Sequence, residues 1–254
     1  MDGKRKRKNK TDGPKRHIRE NKENKINRTN KENKPSKENK SSKENRTNRE
    51  NRENRVNEVN KEMGPMHAKQ VWKPGTLVAP VPAVMVSCAD KAGNSNIITI
   101  AWAGIVCSEP ATVYISVMPR RFSHHMIEET GEYVINLTTK ELSKATDYCG
   151  VVTGAKVDKW KACGLTRAKA STVSCPLIAE APVNIECRVI NKLALGSHDM
   201  FIAKVTAVDV DERYIDKNGR LELDRAGLIA YAHGEYFELG RKLGHFGYSV
   251  RKKA

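Results

Sequence analysis

The sequence predicts a mainly β fold (α+β), an antiparallel Greek-key or meander barrel with a few short helices, behind a basic tail that has no fold of its own. Three observations lead there. From Gly64-Pro65 onward, short apolar runs recur between polar Gly/Asn turns. Helical patterns fall between them only sporadically, whereas a doubly wound sheet needs one after each strand. No G-x-G-x-x-G follows a strand, which disfavours a Rossmann fold.

The tail, residues 1–65, comes first in the chain. Residues 1–62 hold 22 Lys+Arg against 11 Asp+Glu, so most of the formal net charge of +16 sits there. From Asn21 to Asn60 every third residue is Asn, except Ser36 and Ser42, usually followed by Lys or Arg. A polar period of three gives neither a helical stripe nor a strand alternation, and it buries too little to offset its ordering entropy. Disorder is the expectation. The one dense cationic block is KRKRKNK; beyond it Glu interleaves with Lys, and no Phe, Tyr or Trp is present to stack on bases. Weak contact with nucleic acid or an anionic surface is the functional reading. A solvated extension, or upstream sequence before a start at Met63 or Met66, is the plainer one.

Residues 66–254 suffice for one domain. TLVAPVPAVMVSC reads as a strand, ADKAGNSN as a turn, and SNIITIAW as the returning partner. ATVYISVMP is a third strand. SHHMIEETGE predicts a short helix with Ser123 as its N-cap and Gly131 as its stop. YVINL is a further strand, and TKELSKATDYCG a helix closed by glycine. APVNIECRVINKLALGSHDMFIAKVTAVDV gives two long strands around the turn ALGSHD.

Six cysteines are scattered without a C-x-x-C or a close His partner, which argues against a zinc site. Cys88 and Cys107, inside strand-like runs, read as small core residues. The chain starts with no apolar signal-like run and has none long enough to cross a bilayer, so a cytoplasmic protein with reduced thiols is expected, with no membrane partner.

Chemistry concentrates in three places. MPRRFSHH sets Arg120 and Arg121 before a helix start, where backbone N–H groups, the Ser123 hydroxyl and a guanidinium together suit a phosphate; alone, such a stretch is more often an ordinary capped surface helix. SNIITIAW places Asn96 and Thr99 where aliphatics would pack better, with Trp102 at its end. Such polar groups can hydrogen-bond a heterocycle while the indole walls it, although a lone tryptophan is more often core. GSHD holds His198 in a tight turn, able to donate, accept or carry charge near neutral pH, where most turn histidines are idle. Lys159, in KVDKWKACG, is unremarkable alone; beside a flavin it could stabilise negative charge on the reduced ring.

In these stretches and their order the sequence resembles the flavin reductase-like, FMN-binding split-barrel family, and within it the flavoredoxin branch. The resemblance rests on PVPAVMVSCADKAGNSNIITIAWAGIVCSEPATVYISVMPRRFSHHMIEETGEYVINL, then GSHDMFIAKVTAV, then LIAYAHGEYFELGRKLGHFGYS, and covers residues 70–249. It implies a six-stranded-type Greek-key split barrel that forms a homodimer, with one FMN per subunit near the interface. By position, Asn96 and Trp102 would line the isoalloxazine and ribityl region. Thr99 and Ala101, with Arg120 or Arg121 and Ser123, would hold the phosphate. Lys159 would approach the flavin, His198 would face its redox-active side as the catalytic residue, and Tyr231 would stack or cap. The family commonly has threonine where this chain has Ser123, and the tail lies outside its pattern. The implied function is an FMN-dependent oxidoreductase or electron-transfer protein, with NAD(P)H or a redox protein as donor. The alternative is a nucleic-acid- or anionic-surface-associated protein using the tail, with a flavin-free barrel.

Overall fold

The structure, a computed structural model, describes residues 68–250 together with Thr47, Glu50, Asn51 and Asn54. Those four tail positions are helical and exposed, where the sequence predicts no regular structure. A Glu/Lys/Arg-rich segment has fair helix propensity whatever its apolar content. The remaining tail expectations, disorder and nucleic-acid contact included, lie outside the described residues.

From Pro74 onward the chain forms one unit. Its strands are β1 (Val81–Pro82), β2 (Val84–Ala89), β3 (Ser95–Ile100), β4 (Ala103–Cys107) and β5 (Thr112–Val117). Helix α1 (Phe122–Thr130) and β6 (Glu132–Leu137) follow, then helices α2 (Ser143–Val151) and α3 (Lys159–Cys163). The short β7 (Arg167–Ala168) and β8 (Leu177–Ile178) precede the long β9 (Val183–Ala194) and β10 (Asp199–Val210). A final hairpin joins β11 (Ile229–Ala232) to β12 (Glu235–Glu238).

Seven strands make the main sheet, in the order β3-β2-β6-β9-β10-β5-β4, with every pair antiparallel. Its two edges are consecutive in sequence. Flat, such a sheet would hold its edge strands about 29 Å apart at about 4.8 Å per step. The link from Ile100 to Ala103 spans at most about 11 Å. The sheet must therefore curl until β3 and β4 nearly meet, and Ala101-Trp102 form the corner at the split. This is an antiparallel Greek-key split barrel, with seven strands where the resemblance implies six. AGIVC is the strand absent from the sequence reading, because the chain turns at Trp102 and starts afresh.

Alternation then sorts each strand's side chains. Val84, Val86, Cys88, Ile98 and Ile100 point into the barrel core with Ile115, Tyr133 and Phe201. Met85 and Ile97 face outward, yet they are also buried, under α2 and α3 with Leu142, Cys149 and Trp160. Both faces of β2 and β3 are thus covered. Cys88 is in the core as expected. Cys107 is exposed instead: it ends edge strand β4 beyond a register shift after Ile105.

Two helix ends differ from the sequence reading. Helix α1 starts two residues early, with Arg121 at the cap and no side-chain cap bond, so Ser123 lies inside the first turn. Gly131 does stop it, at φ 67, with its N–H donating to Ile127 O. Helix α2 runs through Gly150 to Val151; a Cβ at position 150 would stand 3.4 Å from Thr99 Cβ, so glycine there serves close approach to β3.

Candidate functional site

The corner at the split, the start of α1, the end of α2 and the C-terminal hairpin converge on two adjoining hollows. The larger, of ≈ 370 Å³, is lined by Thr99, Ala101, Trp102, Arg121, His198 and Tyr231, with Asp147, Gly150 and Tyr236 among the others. The smaller, of ≈ 170 Å³, is lined by Asn96, Arg120, Arg121, Ser123 and Lys159, with Thr153 and Gly154. Ile98 and Arg121 line both, so the hollows adjoin. All ten residues singled out from the sequence are brought together here.

The smaller hollow is polar and tightly built. Asn96 Nδ2 donates to Ser123 Oγ at 2.8 Å, both side chains being buried. Gly154 presses against this pair: a Cβ there would fall 2.2 Å from Asn96 Oδ1. Lys159, only 2 % exposed, donates through Nζ to Ile97 O at 2.7 Å and Cys149 O at 2.8 Å. Burial lowers its ammonium to about 8, with Arg121 nearby adding to the effect. An ammonium has three N–H donors, so one remains beyond those two carbonyls. At the start of α1 the N–H groups of Phe122 and Ser123 have no carbonyl one turn back in the helix. Two guanidinium groups, an ammonium, a hydroxyl and a helix N-terminus make a donor set that fits a phosphate.

The larger hollow is aromatic and open. Trp102, 45 % exposed, stacks on His198 with ring centroids 6.1 Å apart and planes within 6°. The Ser197 hydroxyl lies 2.9 Å from His198 Nδ1 and steadies the ring. Opposite, Tyr231 meets Tyr236 edge to face at 5.5 Å. Their strands form a hairpin whose turn holds His233 at φ 49 and Gly234 at φ 92. Val81 of β1 pairs with Tyr231, which fixes this distant segment at the cleft. Burial and the Asp147 carboxylate beside it push the Tyr236 phenol up to about 12, so it stays a protonated donor.

The two hollows divide the sequence-predicted residues between them. Asn96 lies with the phosphate-type donors, while Thr99 and Ala101 line the aromatic cleft. Thr99 also commits its hydroxyl to Thr146 O. Lys159, expected beside a flavin ring, sits in the polar hollow, because the first residue of α3 docks its side chain beneath β3. Arg121 reaches both hollows and donates to Gly150 O; Arg120 reaches only the polar one. Asp147, Gly150, Gly154 and Tyr236 were missed. A glycine pressed against a side chain leaves no signal in its own sequence neighbourhood. Tyr236 could have been found from the I-A-Y-A-H-G-E-Y hairpin, whose paired tyrosines face each other in register.

A split barrel that sets a cationic helix start beside an aromatic cleft has the chemistry to take a planar cofactor with an anionic group. The chain belongs to the flavin reductase-like domain family, whose model, described as Flavin reductase like domain, matches residues 78–240. Among solved structures, the flavoredoxin of Desulfovibrio vulgaris (Miyazaki F) is 27% identical with a TM-score of 0.68, covering 72% of this chain and 100% of its own. The flavoredoxin from Methanosarcina acetivorans is 25% identical with a TM-score of 0.66, covering 73% and 100%. An uncharacterized protein of Archaeoglobus fulgidus is 28% identical over 142 residues, 56% of this chain and 79% of its own length. Membership makes this a flavin-linked, oxidoreductase-type protein. Among the described residues, no helix is long and apolar enough to cross a membrane.

Proposed function

We propose that the chain is an FMN-binding oxidoreductase or electron-transfer protein of flavoredoxin type. The observation that carries this is the adjacency of the two hollows, a phosphate-type donor set beside a cleft walled by aromatic rings. Arg120, Arg121, Ser123, Asn96 and Lys159 hold the phosphate. Trp102, His198 and Tyr231 wall the ring, and Thr99 and Ala101 line the same cleft. The bound flavin supplies the electron-accepting chemistry. The chain orients it, excludes water at the buried end and leaves the ring end open. His198, half-buried and next to solvent, is placed to hold or pass a proton there.

A second copy of the chain covers edge strand β4, where Ile105 and Val106 are 80 % and 51 % exposed. The donor is NAD(P)H or a redox protein reaching the ring over His198. Six free thiols are in keeping with a reducing cytoplasm.

Two steps test this reading. The purified full chain should be yellow and release FMN on heating, at about one per chain by chromatography. The loaded protein is then mixed anaerobically with NADH or NADPH. Rapid bleaching assigns a pyridine-nucleotide donor; negligible bleaching leaves a carrier fed by a protein. A colourless chain that takes up no added FMN would contradict the proposal.

A further inference from the structure

Two thiols face each other across the helices beside the polar hollow. Cys149 lies in the last turn of α2, Cys163 ends α3, and their Sγ atoms are 3.9 Å apart. A disulfide holds its sulfurs at about 2.0 Å, so closure asks for a movement of about 2 Å. Cys163 can supply it. It is the last residue of a five-residue helix, which Gly164 stops at φ 64. Cys149 is the fixed member, fully buried, with its carbonyl held by Lys159. Of the other buried thiols, Cys88 Sγ lies 3.9 Å from Met126 Sδ, and Cys187 Sγ donates to Ile185 O at 3.4 Å.

We propose that Cys149 and Cys163 form a reversible dithiol/disulfide site that exchanges with low-molecular-weight disulfides of the glutathione class. Half-buried Cys163 loses its proton and attacks the incoming disulfide. One small thiolate leaves, and a mixed disulfide remains on Cys163. Cys149 then loses its proton and attacks the Cys163 sulfur, forming the internal bond and expelling the second small thiolate. Each expelled thiolate takes up one of the released protons. One disulfide is consumed and one formed; two protein thiols are oxidised and two small thiols produced.

This order of attack follows from access. Burial and the neighbouring Cys163 thiol push the Cys149 thiol up to about 12, with the Lys159 ammonium pulling the other way. Cys149 therefore acts second, once its partner sulfur is already bonded and close. The segment between the two cysteines contributes Val152, Thr153, Gly154 and Lys159 to the polar hollow, so the bond would fix one wall of that hollow. The inference does not rest on what the hollow binds.

The test uses the full chain, equilibrated over a series of glutathione disulfide to glutathione ratios, acid-quenched, denatured and alkylated with N-ethylmaleimide. Lys156, Lys159 and Lys161 lie between the cysteines, so trypsin separates the two peptides unless a disulfide joins them. The expected result is a Cys149–Cys163 cross-linked pair that grows with the ratio, vanishes with dithiothreitol and is absent from Cys163→Ser. Six alkylated cysteines at every ratio would overturn the site. So would a glutathione adduct on Cys163 that never resolves, or a cross-link between other cysteines.

Discussion

The polar hollow and the aromatic cleft adjoin, yet they are built in opposite ways. At the start of α1 the side chains are buried and already bonded to one another: Asn96 to Ser123, Lys159 to two carbonyls. At the corner of the split, Trp102, His198 and Tyr231 are partly open to solvent and meet through ring faces and edges. Bonded donors hold their positions before a ligand arrives, so little ordering entropy is lost on binding. Stacked rings at an open mouth tolerate exchange. The difference separates an end that grips from an end that reacts.

The sharpest way to break the gripping end is Gly154→Val. Its branched side chain cannot fit where a Cβ already falls 2.2 Å from Asn96 Oδ1. Overpacking of this kind costs about 1–3 kcal/mol, so FMN retention should fall by about 10–100-fold or more while the chain stays folded. Flavin-fluorescence titration and circular dichroism read the two effects separately. Unchanged retention would mean that the polar hollow does not take the phosphate.

Removing single donors should do somewhat less. Asn96→Ala and Ser123→Ala each leave a partner without its hydrogen bond, at about 1–3 kcal/mol. Both should weaken FMN binding, and the double variant should lose less than the two effects added, because the groups bond each other. Strict additivity would mean that they act independently.

Lys159 gives a pH test with two slopes. Burial lowers its ammonium from 10.5 to about 8, so between those values the unfolded chain binds the proton more tightly than the folded chain. Stability of the flavin-free protein should therefore rise from pH 8 toward 10.5. A bound phosphate favours the ammonium, so FMN affinity should be flat below about pH 8 and fall above it, by up to about tenfold per pH unit. Melting curves and titrations across this range, repeated for Lys159→Gln, should show both slopes in the parent only.

The smallest binding effect is expected at the open end. A stacked pair contributes about 0.5–1.5 kcal/mol, so His198→Ala should weaken FMN binding by at most about tenfold. Its rate of reduction should fall by more than its affinity does. Stopped-flow bleaching beside the titration would separate the two. A pure binding defect would make His198 part of the grip.

Much of this contrast was legible in the sequence. An Asn and a Thr in an otherwise apolar strand, a pair of arginines before a helix and a histidine in a turn are each out of keeping with simple packing, and all line the hollows. Which hollow each lines was not legible. Strand parity places Asn96 with Ile98 and Ile100, but only the docking of α1 and of the loop after α2 decides that Asn96 meets Ser123 and Gly154. The place of Lys159 was not legible for a similar reason: its address depends on α3 folding back under β3. Strand β4 escaped because a two-residue corner interrupts a run that reads as continuous. Cys107 escaped with it, since exposure at a sheet edge depends on which strand finds no neighbour.

The central claim, that one end grips a phosphate and the other leaves a ring accessible, is tested most directly by titrating the flavin-free full chain with FMN and with riboflavin, which lacks the phosphate. Charge-assisted hydrogen bonds are worth about 1.5–3 kcal/mol each, so FMN should bind at least about a hundredfold more tightly. Equal affinity for the two would contradict the account, and would mean that the cationic start of α1 serves something other than the cofactor.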